Sequence, residues 1–253
     1  MQPIISMRNV SKAFGHVQAL VDIDLDIYHG EVLGLLGDNG AGKSTLIKIL
    51  SGVYSADEGE FIYEGKPAKI ENPNGAQALG IATVYQDLSL VDTRPVAHNI
   101  FLGREPRKWG LILDRRRMEH DAKDLLEQLN INLPSVTVDV EVLSGGQRQA
   151  VAVSRAIAQG GDLLLLDEPT AALGVEQTEQ VHQLMEDMKA RGTAIILITH
   201  DLSGILDITD KIAVLRQGRL WAYAKSSSTT QNQIIGWITG ALPSQIQEES
   251  GLT

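Results

Sequence analysis

Apolar and polar residues follow three different patterns in the first forty positions of the chain. Residues 4–10 are rich in apolar side chains, and residues 21–27 alternate strictly between apolar and acidic ones. Strict alternation indicates a strand with one buried and one solvated face, as at the edge of an antiparallel sheet. Residues 32–36 are continuously apolar, which is typical of a central parallel strand covered on both faces. These patterns predict an antiparallel N-terminal sheet followed by a buried parallel strand.

Strands and helices alternate along the rest of the predicted structure. Further strands are expected at 60–64, 81–85, 163–166, 194–199, 211–215 and 219–224, the last two as a hairpin around Gln217-Gly218. Helices are expected through 46–50, 74–79, 96–102, 115–129 and 144–159, over a segment that carries Val181, Leu184, Met185 and Met188 and ends at Gly192, and briefly after residue 199. This β-α-β order favours a mostly parallel sheet with helices on both faces.

Two regions depart from this alternation. Residues 87–156 are predicted to be mainly helical, and we interpret them as a lobe inserted into the α/β core. Residues 226–230 are all serine or threonine and predict a flexible break, followed by a short helix near 234–238 and a frayed tail. The predicted fold class is α/β, with a mostly parallel sheet, an antiparallel N-terminal β subdomain and an inserted helical lobe.

Composition limits the classes of protein that fit this pattern. The 253 residues are 43% hydrophobic with few aromatic side chains, as in an ordinary globular α/β protein. The net charge of -10 argues against a bulk electrostatic grip on nucleic acid, but it does not exclude a local basic patch. The chain has no cysteine, which rules out disulfides and thiolate metal sites and favours a reducing cytosol.

No membrane-spanning or secretory segment is expected. The longest apolar runs, 163–166 and 194–198, have the length of strands, whereas a membrane span needs about 18 apolar residues or more. Residues 1–8 lack the basic region and the long apolar region of a signal peptide. A role at a membrane would therefore require a membrane-embedded partner.

A glycine-rich segment connects the buried strand at 32–36 to the next helix. Its sequence is Gly37-Asp38-Asn39-Gly40-Ala41-Gly42-Lys43-Ser44-Thr45, which fits the phosphate-binding P-loop pattern. Glycines let backbone N–H groups turn inward around an anion, and the helix N-terminus adds a partial positive charge. Lys43 is expected to reach the β- and γ-phosphates of a nucleoside triphosphate, and the Ser44 hydroxyl to hold Mg²⁺. The alternative, a tight turn with accidental glycines, is disfavoured by the flanking strand and helix.

Two acids end the predicted strand at 163–166. The apolar run is followed directly by Asp167 and Glu168. Ligands of parallel α/β sheets bind at the carboxyl ends of the strands, where both carboxylates would lie. Asp167 is expected to hold Mg²⁺ through its water shell, and Glu168 to take a proton from an attacking water.

The segment Leu143-Ser144-Gly145-Gly146-Gln147 opens another predicted helix. Ser144 can cap this helix, and the two glycines let the backbone approach a ligand closely. An ordinary capped helix is the alternative. One triphosphate does not need two such anion cradles from one chain. We therefore expect the second cradle to serve a nucleotide held by another copy of the protein, with the two copies facing each other.

These motifs, in this order, resemble the nucleotide-binding domain of ATP-binding cassette (ABC) transporters. The resemblance covers about residues 1–225, which would form the ATPase domain with its helical lobe at about 87–156. Residues 226–253 would form a C-terminal tail with a short helix. The resemblance implies ATP and Mg²⁺ as ligands.

Three further site residues are implied by the same resemblance. Gln86 matches the glutamine that binds Mg²⁺ and links the site to the membrane partner. His200 matches the switch histidine that follows a strand and contacts the γ-phosphate. Phe14, just before Gly15, matches the aromatic residue that stacks on adenine. With Lys43 and Glu168, the residues Gln86 and His200 make up the expected catalytic set.

Three segments narrow the resemblance to the ATPases of bacterial monosaccharide importers of the ribose, xylose or fructose type. They are residues 81–90, 99–105 and 170–175. Members of that class often carry two ATPase domains in tandem, whereas this chain shows one, so two copies would supply the pair. Gly174 departs from most of the superfamily, which has an aspartate at this position.

The resemblance implies an ATPase that energises the import of a monosaccharide. Its partners would be a transmembrane permease, a second copy of the chain and, indirectly, a periplasmic sugar-binding protein. Its location would be peripheral, on the cytoplasmic face of the inner membrane, and no nucleic acid is expected as a partner.

Two alternatives use the same nucleotide chemistry. A soluble ABC-type regulator or ribosome-acting factor would work without a membrane subunit, but such proteins usually carry two cassettes and basic linkers. A small-molecule kinase would leave the second anion cradle without a purpose. One basic cluster is the feature that could favour a polyanion, and we interpret it as a solvated or partner-facing patch; it consists of Arg104, Arg107, Lys108, Arg115, Arg116 and Arg117.

Overall fold

A computed structural model describes residues 2–85, 87–171, 173–202 and 204–246 of the chain. Within these ranges the strands are β1 (Pro3–Phe14), β2 (Val17–Tyr28), β3 (Val32–Gly37), β4 (Glu58–Tyr63), β5 (Lys66–Ala68), β6 (Ile81–Val84), β7 (Arg107–Lys108), β8 (Ile112–Leu113), β9 (Leu163–Asp167), β10 (Ala194–Ile198), β11 (Lys211–Arg216), β12 (Arg219–Lys225) and β13 (Gln245–Ile246). The helices are α1 (Lys43–Leu50), α2 (Pro73–Ala78), α3 (Val96–Ile100), α4 (Arg115–Gln128), α5 (Gly145–Ala158), α6 (Val175–Ala190), α7 (Ile205–Ile208) and α8 (Gln231–Thr239).

The first sheet is antiparallel throughout, with the strand order β2-β1-β4-β5. Along β2 the side chains of Ile23, Leu25 and Ile27 are buried, whereas Asp22 and Asp24 are exposed. This follows from the geometry of a strand, in which successive side chains point to opposite faces. The edge strand predicted from the apolar–acidic alternation is confirmed.

The second sheet is mostly parallel, with the strand order β13-β12-β11-β3-β10-β9-β6. β3 pairs in parallel with β10 and β11, and β9 pairs in parallel with β10 and β6. Separate apolar clusters cover its two faces, which is why the continuously apolar strands β3 and β9 are buried along almost their whole length. This sheet and the antiparallel N-terminal sheet confirm the predicted α/β fold class.

The strand order brings together the ends of β3 and β9. Both strands flank β10, and all three run in the same direction, so their carboxyl ends meet at one edge of the sheet. Gly37 ends β3, and Asp167 ends β9. The glycine-rich loop and the acid pair are therefore neighbours, as expected from ligand binding at the carboxyl ends of parallel strands.

A third apolar cluster lies in the lobe formed by α3, α4 and α5. Its buried members include Val96, Ala97, Ile100, Met118, Ala122, Leu126 and Val151. The amphipathic helix predicted at 115–129 is confirmed by α4. The expectation of a mainly helical lobe is corrected at one place, because β7 and β8 form a small antiparallel hairpin between α3 and α4. Strands of two residues are too short to leave a periodic pattern in the sequence.

The prediction of a flexible break at 226–230 is wrong. Ser226–Ser228 form a single 3-10 turn in which Ser226 is buried, and its hydroxyl oxygen lies 2.8 Å from that of Thr209. The Thr229 hydroxyl donates to the Lys225 carbonyl oxygen at 2.8 Å. Side-chain hydroxyl groups that bond locally hold this segment against the core, which its composition does not reveal.

The helix after this turn is longer than the predicted 234–238 segment. Thr230 caps α8, and Ile234 and Trp237 anchor the helix in the core. Beyond α8, the strand β13 pairs with β12, with Gln245 opposite Ala222. The expected frayed tail is therefore incorrect up to residue 246, and residues 247–253 lie outside the described part. None of the described helices is both long enough and apolar enough to cross a bilayer.

Candidate active site

Strand β3, the glycine-rich loop and helix α1 form one continuous unit. Gly42 has a φ of 109° and precedes α1 as an N-cap that offers no side-chain hydrogen bond. A Cβ at this position would lie 2.7 Å from the Ala19 carbonyl oxygen, so the loop requires glycine here. The start of α1 is therefore without a side-chain cap, and its N–H groups and dipole suit an anion.

The tip of the loop is exposed and held by its own hydrogen bonds. Asn39 N–H donates to Asp38 Oδ1 at 2.7 Å, and Ala41 N–H donates to the Asp38 carbonyl oxygen at 3.1 Å. Ala41 is buried beneath the loop, whereas Gly40 and the side chain of Ser44 are exposed, and Thr45 is half-buried. The predicted phosphate-binding residues thus form a preorganised loop that is open to solvent.

Lys43 lies across this loop. Its Nζ donates to the carbonyl oxygens of Gly37 at 2.7 Å and of Asp38 at 3.0 Å. Burial lowers the pKa of Lys43, whereas the nearby carboxylates of Glu168, Asp38 and Asp167 favour its charged form. The ammonium group is consequently a half-buried cation between the loop and the acid pair, where phosphate oxygens would be attracted.

Asp167 and Glu168 follow β9 at the same edge of the sheet. Glu168 N–H donates to the Ile198 carbonyl oxygen at 2.9 Å, which ties the acid pair to the neighbouring strand. Burial raises the pKa of Asp167, and the adjacent Glu168 raises it further, while Lys43 and Lys48 act in the opposite direction. The site therefore places two acids and two lysines within electrostatic reach of one another.

Glu168 and His200 form a direct pair. His200 Nδ1 lies 2.9 Å from Glu168 Oε1. Glu168 has a φ of 51°, a left-handed conformation that is uncommon for a non-glycine residue and tends to occur at functional sites. Both residues line a cavity of about 520 Å³ beside the glycine-rich loop. The other lining residues are Gly37, Asp38, Asn39, Thr199, Leu202, Ile235 and Ile238.

The second anion cradle caps its own helix. Gln147 N–H donates to Ser144 Oγ at 3.3 Å, and Ser144 N–H donates to Gln147 Oε1 at 3.1 Å. Gly146 is buried against α6, where a Cβ would lie 3.0 Å from the Gln177 side chain, and Gly145 is exposed. None of residues 144–147 lines the described cavity beside the P-loop. Within one chain the two cradles thus pack on different elements, the P-loop against Ala19 of β2 and the second cradle against α6.

Phe14 lies at the end of β1, where 43% of its surface is exposed. Its ring packs edge-on against Tyr54, with the ring centroids 5.2 Å apart, and the Lys12 ammonium lies 5.6 Å from its centroid. An exposed aromatic ring supported from one side can stack on a planar base. Gln86 lies outside the described residues, so its predicted role has no structural account.

Two features of the site were missed by sequence reasoning. Tyr54 supports Phe14 although it comes after α1, and Ile235 and Ile238 of α8 form an apolar wall of the cavity. Apolar residues at helical spacing are typical of core packing, so no local signal distinguishes these two isoleucines. Their place at the site depends on how the C-terminal helix packs.

The family described as ABC transporter matches residues 20–171. The chain belongs to this family. The prediction of an ABC transporter ATPase is thereby confirmed, and ATP is the nucleotide of this family.

Several curated proteins are similar to this chain over most of the chain's length. It is 43% identical to the xylose/arabinose import ATP-binding protein XylG of Sulfolobus acidocaldarius, with 92% of this chain and 93% of that protein covered. It is 42% identical to the fructose import ATP-binding protein FrcA of Rhizobium meliloti, with 95% of each covered. A ribose import ATP-binding protein RbsA of Caldanaerobacter subterraneus is 39% identical, but the chain covers only 48% of its length.

Solved structures show the same fold. A nucleotide-free ATP-binding cassette from an ABC transporter superposes with a TM-score of 0.80 at 25% identity, covering 94% of this chain and 95% of that one. A dimeric cassette in a post-hydrolysis state, bound to ADP and Pi, gives a TM-score of 0.72 at 24% identity, covering 88% of this chain and 98% of that one. The ABC fold assigned to the chain is therefore the fold of known cassettes.

Proposed function

We propose that the chain is the ATP-hydrolysing subunit of an importer for a monosaccharide, working as a pair of copies that enclose ATP between them. The observation that carries the paired arrangement is that the two anion cradles pack on different elements, because Gly42 of the P-loop lies against Ala19 of β2, whereas Gly146 lies against Gln177 of α6. The sugar class is supported by the relatives, which are named as xylose/arabinose, fructose and ribose import proteins. These names favour transport over a soluble ABC-type factor or a small-molecule kinase.

In this arrangement residues 1–225 act as the ATPase domain, with the helical lobe at about 87–156. The P-loop residues 37–45 surround the phosphates, and Phe14 stacks on the adenine ring. Residues 226–253 form a C-terminal extension, whose helix α8 borders the catalytic cavity through its isoleucines.

Mg²⁺ fits the groups at the mouth of the loop. The Ser44 hydroxyl and the Asp167 carboxylate are oxygen ligands of the kind that Mg²⁺ takes, and it commonly completes its shell with water and phosphate. The raised pKa of Asp167 reflects burial beside Glu168, and a divalent cation would relieve that repulsion. Gln86 is assigned to the same ion from the family resemblance. The ion would neutralise charge on the phosphate oxygens.

Hydrolysis requires a base for the attacking water. Glu168 accepts a proton from water as the water oxygen bonds to the γ-phosphorus and the bond from that phosphorus to the β–γ bridging oxygen breaks. Lys43 stabilises the negative charge on the phosphate oxygens. His200 holds Glu168 through Nδ1 at 2.9 Å, which leaves Nε2 for the γ-phosphate.

The second copy completes each site with its Ser144, Gly145, Gly146 and Gln147. ATP then has more contacts in the closed pair than in the open one, and only such a difference in affinity can shift the equilibrium towards closure. Hydrolysis removes the γ-phosphate contact and reopens the pair. This closing and reopening of the pair is the movement that is transmitted to the membrane partner.

A permease is the proposed membrane partner, and the helical lobe is where it would dock. Gln86 would relay movement between the lobe and the nucleotide. The sugar would be delivered to the permease by a periplasmic binding protein, and this chain would sit on the cytoplasmic face of the inner membrane.

The test is reconstitution with a permease and a sugar-binding protein, which we expect to be encoded in the neighbouring genes. ATP turnover in proteoliposomes is expected to rise when the cognate monosaccharide is loaded, and Lys43→Ala is expected to abolish both turnover and uptake. Turnover that is the same with and without the permease would contradict the transport role and favour the soluble ATPase. The neighbouring genes themselves provide a first check, since a permease gene and a sugar-binding protein gene are expected there.

A further inference from the structure

The hairpin formed by β7 and β8, called here the 107–113 hairpin, presents apolar side chains to solvent. Trp109 and Leu111 are each 87% exposed, and Ile112 is 57% exposed. Leu111 N–H donates to the Lys108 carbonyl oxygen at 3.2 Å and closes the turn. Contiguous exposed apolar side chains on a soluble surface usually mark an interaction site.

The turn keeps its tryptophan exposed at a conformational cost. Trp109 has a φ of 50°, and the following Gly110 has a φ of 75°. A bulky residue in the left-handed region is an outlier, since asparagine, aspartate and glycine are the usual residues in such turns. Fold stability alone does not explain a strained and solvent-exposed tryptophan.

Basic side chains surround this apolar tip. Residues 104–117 contain six basic and two acidic residues, a local net charge of +4 in a chain whose net charge is -10. Arg107, Arg115 and Arg116 are exposed and have no ion pair among the residues that the structure describes. The charge of the basic cluster is thus largely free to meet a partner.

Three of these arginines lie at the N-terminus of a helix, where the helix dipole disfavours positive charge. Arg115, Arg116 and Arg117 form the first turn of α4, which contains no acidic residue and is capped by Asp114. Cations at a helix N-terminus are opposed by the helix dipole. Like the strained Trp109, this arrangement works against stability and so points to a binding role.

We propose that the 107–113 hairpin and the basic cluster dock on the anionic lipid surface of the membrane. Tryptophan prefers the headgroup region because its ring is apolar and its indole N–H is polar. Arginines beside it are attracted to anionic headgroups. Leu111 and Ile112 enter the upper acyl region next to the indole ring.

A permease loop is the competing occupant, and charge argues against it. The cytoplasmic loops of membrane proteins carry an excess of lysine and arginine, which would repel the basic cluster. The acidic remainder of the chain does not prevent lipid contact, because charges beyond about 8 Å are largely screened at physiological salt.

Lipid contact deepens the membrane-bound role proposed above and rests on it, but it can be measured without a permease or ATP. The experiment is sedimentation of the full chain with phosphatidylcholine vesicles, with and without phosphatidylglycerol, at low and high salt. We expect binding only with phosphatidylglycerol, and weaker binding at high salt. The triple variant Arg115→Gln/Arg116→Gln/Arg117→Gln is expected to bind roughly a hundredfold more weakly.

Matched variants separate a specific surface from general charge. Lys66→Gln/Lys69→Gln/Arg191→Gln removes the same charge from exposed positions on other elements and is expected to bind like the parent chain. Trp109→Ser is expected to bind about tenfold more weakly, whereas Val53→Ser, at another exposed apolar position, is expected to have no effect. All variants should keep the ATP turnover of the parent, which shows that they are folded.

Three results would overturn the lipid assignment. The first is equal binding to vesicles with and without phosphatidylglycerol, or none to either. The second is the same loss in the matched charge control as in the arginine variant. The third is unchanged vesicle binding in Trp109→Ser together with lost assembly with the permease in detergent, which would make the hairpin a protein contact. Vesicle binding by the parent chain together with no sugar-stimulated ATP turnover in proteoliposomes would instead count against the proposed function and leave the lipid assignment standing.

Discussion

His200 Nδ1 lies 2.9 Å from Glu168 Oε1, although the two residues are 32 positions apart. The contact exists because β10 pairs with β9 in parallel, so that both strands end at the same edge of the sheet. A nitrogen bound to the carboxylate fixes the orientation of the imidazole ring and of the carboxylate together. In the proposed ATPase, Glu168 handles the proton of water, and His200 positions Glu168 against the γ-phosphate.

Replacing Glu168 by glutamine should separate ATP binding from hydrolysis. The amide keeps the shape of the side chain but cannot accept the proton, so turnover is expected to fall at least about a hundredfold, in the range for loss of a general base. Binding of a fluorescent ATP analogue should stay close to that of the parent. Turnover near the parent value would remove Glu168 from the base role.

Replacing His200 by alanine should lower turnover by roughly ten- to hundredfold, because Glu168 loses the group that orients it. The control is His120→Ala, since His120 also pairs with a carboxylate, with Nδ1 3.3 Å from Asp124 Oδ1, but on the surface of α4. Steady-state ATPase assays on both variants make the comparison. An equal loss in the two would show that the effect is structural.

The Asp167 carboxylate should lower the stability of the nucleotide-free fold at neutral pH. Burial raises the pKa of Asp167 in the folded chain, so the folded state favours the protonated acid. The contribution of the protonated acid to folding stability is complete below the ordinary aspartate pKa and is lost as pH rises through the raised pKa. Asp167→Asn is therefore expected to melt at a higher temperature than the parent at neutral pH, with the difference shrinking in acid below the ordinary aspartate pKa. Calorimetry without nucleotide measures this. A variant that melts lower at neutral pH would contradict it, and ATPase activity should be lost in either case.

Local patterns sufficed for some parts of the site and not for others. The P-loop and the acid pair are short segments whose chemistry is encoded in adjacent residues, and the continuously apolar runs before them indicate buried parallel strands. The approach of Ile235 and Ile238 to a cavity built from residues 37–39 depends on the packing of α8, for which no spacing rule exists. The 107–113 hairpin was missed because its strands are too short to show a period.

The serine and threonine run shows a different limit. Composition predicts flexibility at 226–230, but burial of Ser226 against Thr209 depends on a partner 17 residues earlier in the chain. Polar residues that find buried partners have the same sequence signature as polar residues in water. Only the three-dimensional arrangement separates the two cases.

Breaking the buried ion pair between Glu31 and Lys211 should destabilise the fold. Lys211 Nζ lies 2.9 Å from Glu31 Oε2, and both side chains are about nine-tenths buried. The ammonium also lies 4.2 Å from the centroid of the Tyr28 ring, so it joins β11 of the parallel sheet to β2 of the antiparallel one. Glu31→Gln leaves a buried cation poorly compensated and is expected to lower the free energy of unfolding by about 3 kcal/mol.

Urea denaturation measures the effect of Glu31→Gln. The control is Glu127→Gln, which breaks the exposed pair between Lys123 and Glu127 on α4 and is expected to change stability little. A similar small change in both variants would show that the Glu31–Lys211 pair is no more important than a surface pair.

Cross-linking between copies tests the enclosed-nucleotide arrangement directly. The chain has no cysteine, so any thiol cross-link must come from residues that are introduced. Asn39→Cys lies on the P-loop, and Val142→Cys lies on an exposed position beside the second cradle. When these two variants are mixed, each also carrying Glu168→Gln, a short bifunctional thiol reagent is expected to join them only with ATP and Mg²⁺. Val53→Cys, exposed elsewhere, should not join to Asn39→Cys.

If light scattering shows an ATP-dependent dimer but the Asn39–Val142 pair never cross-links, the copies associate through other surfaces, and the second cradle does not serve its partner's nucleotide.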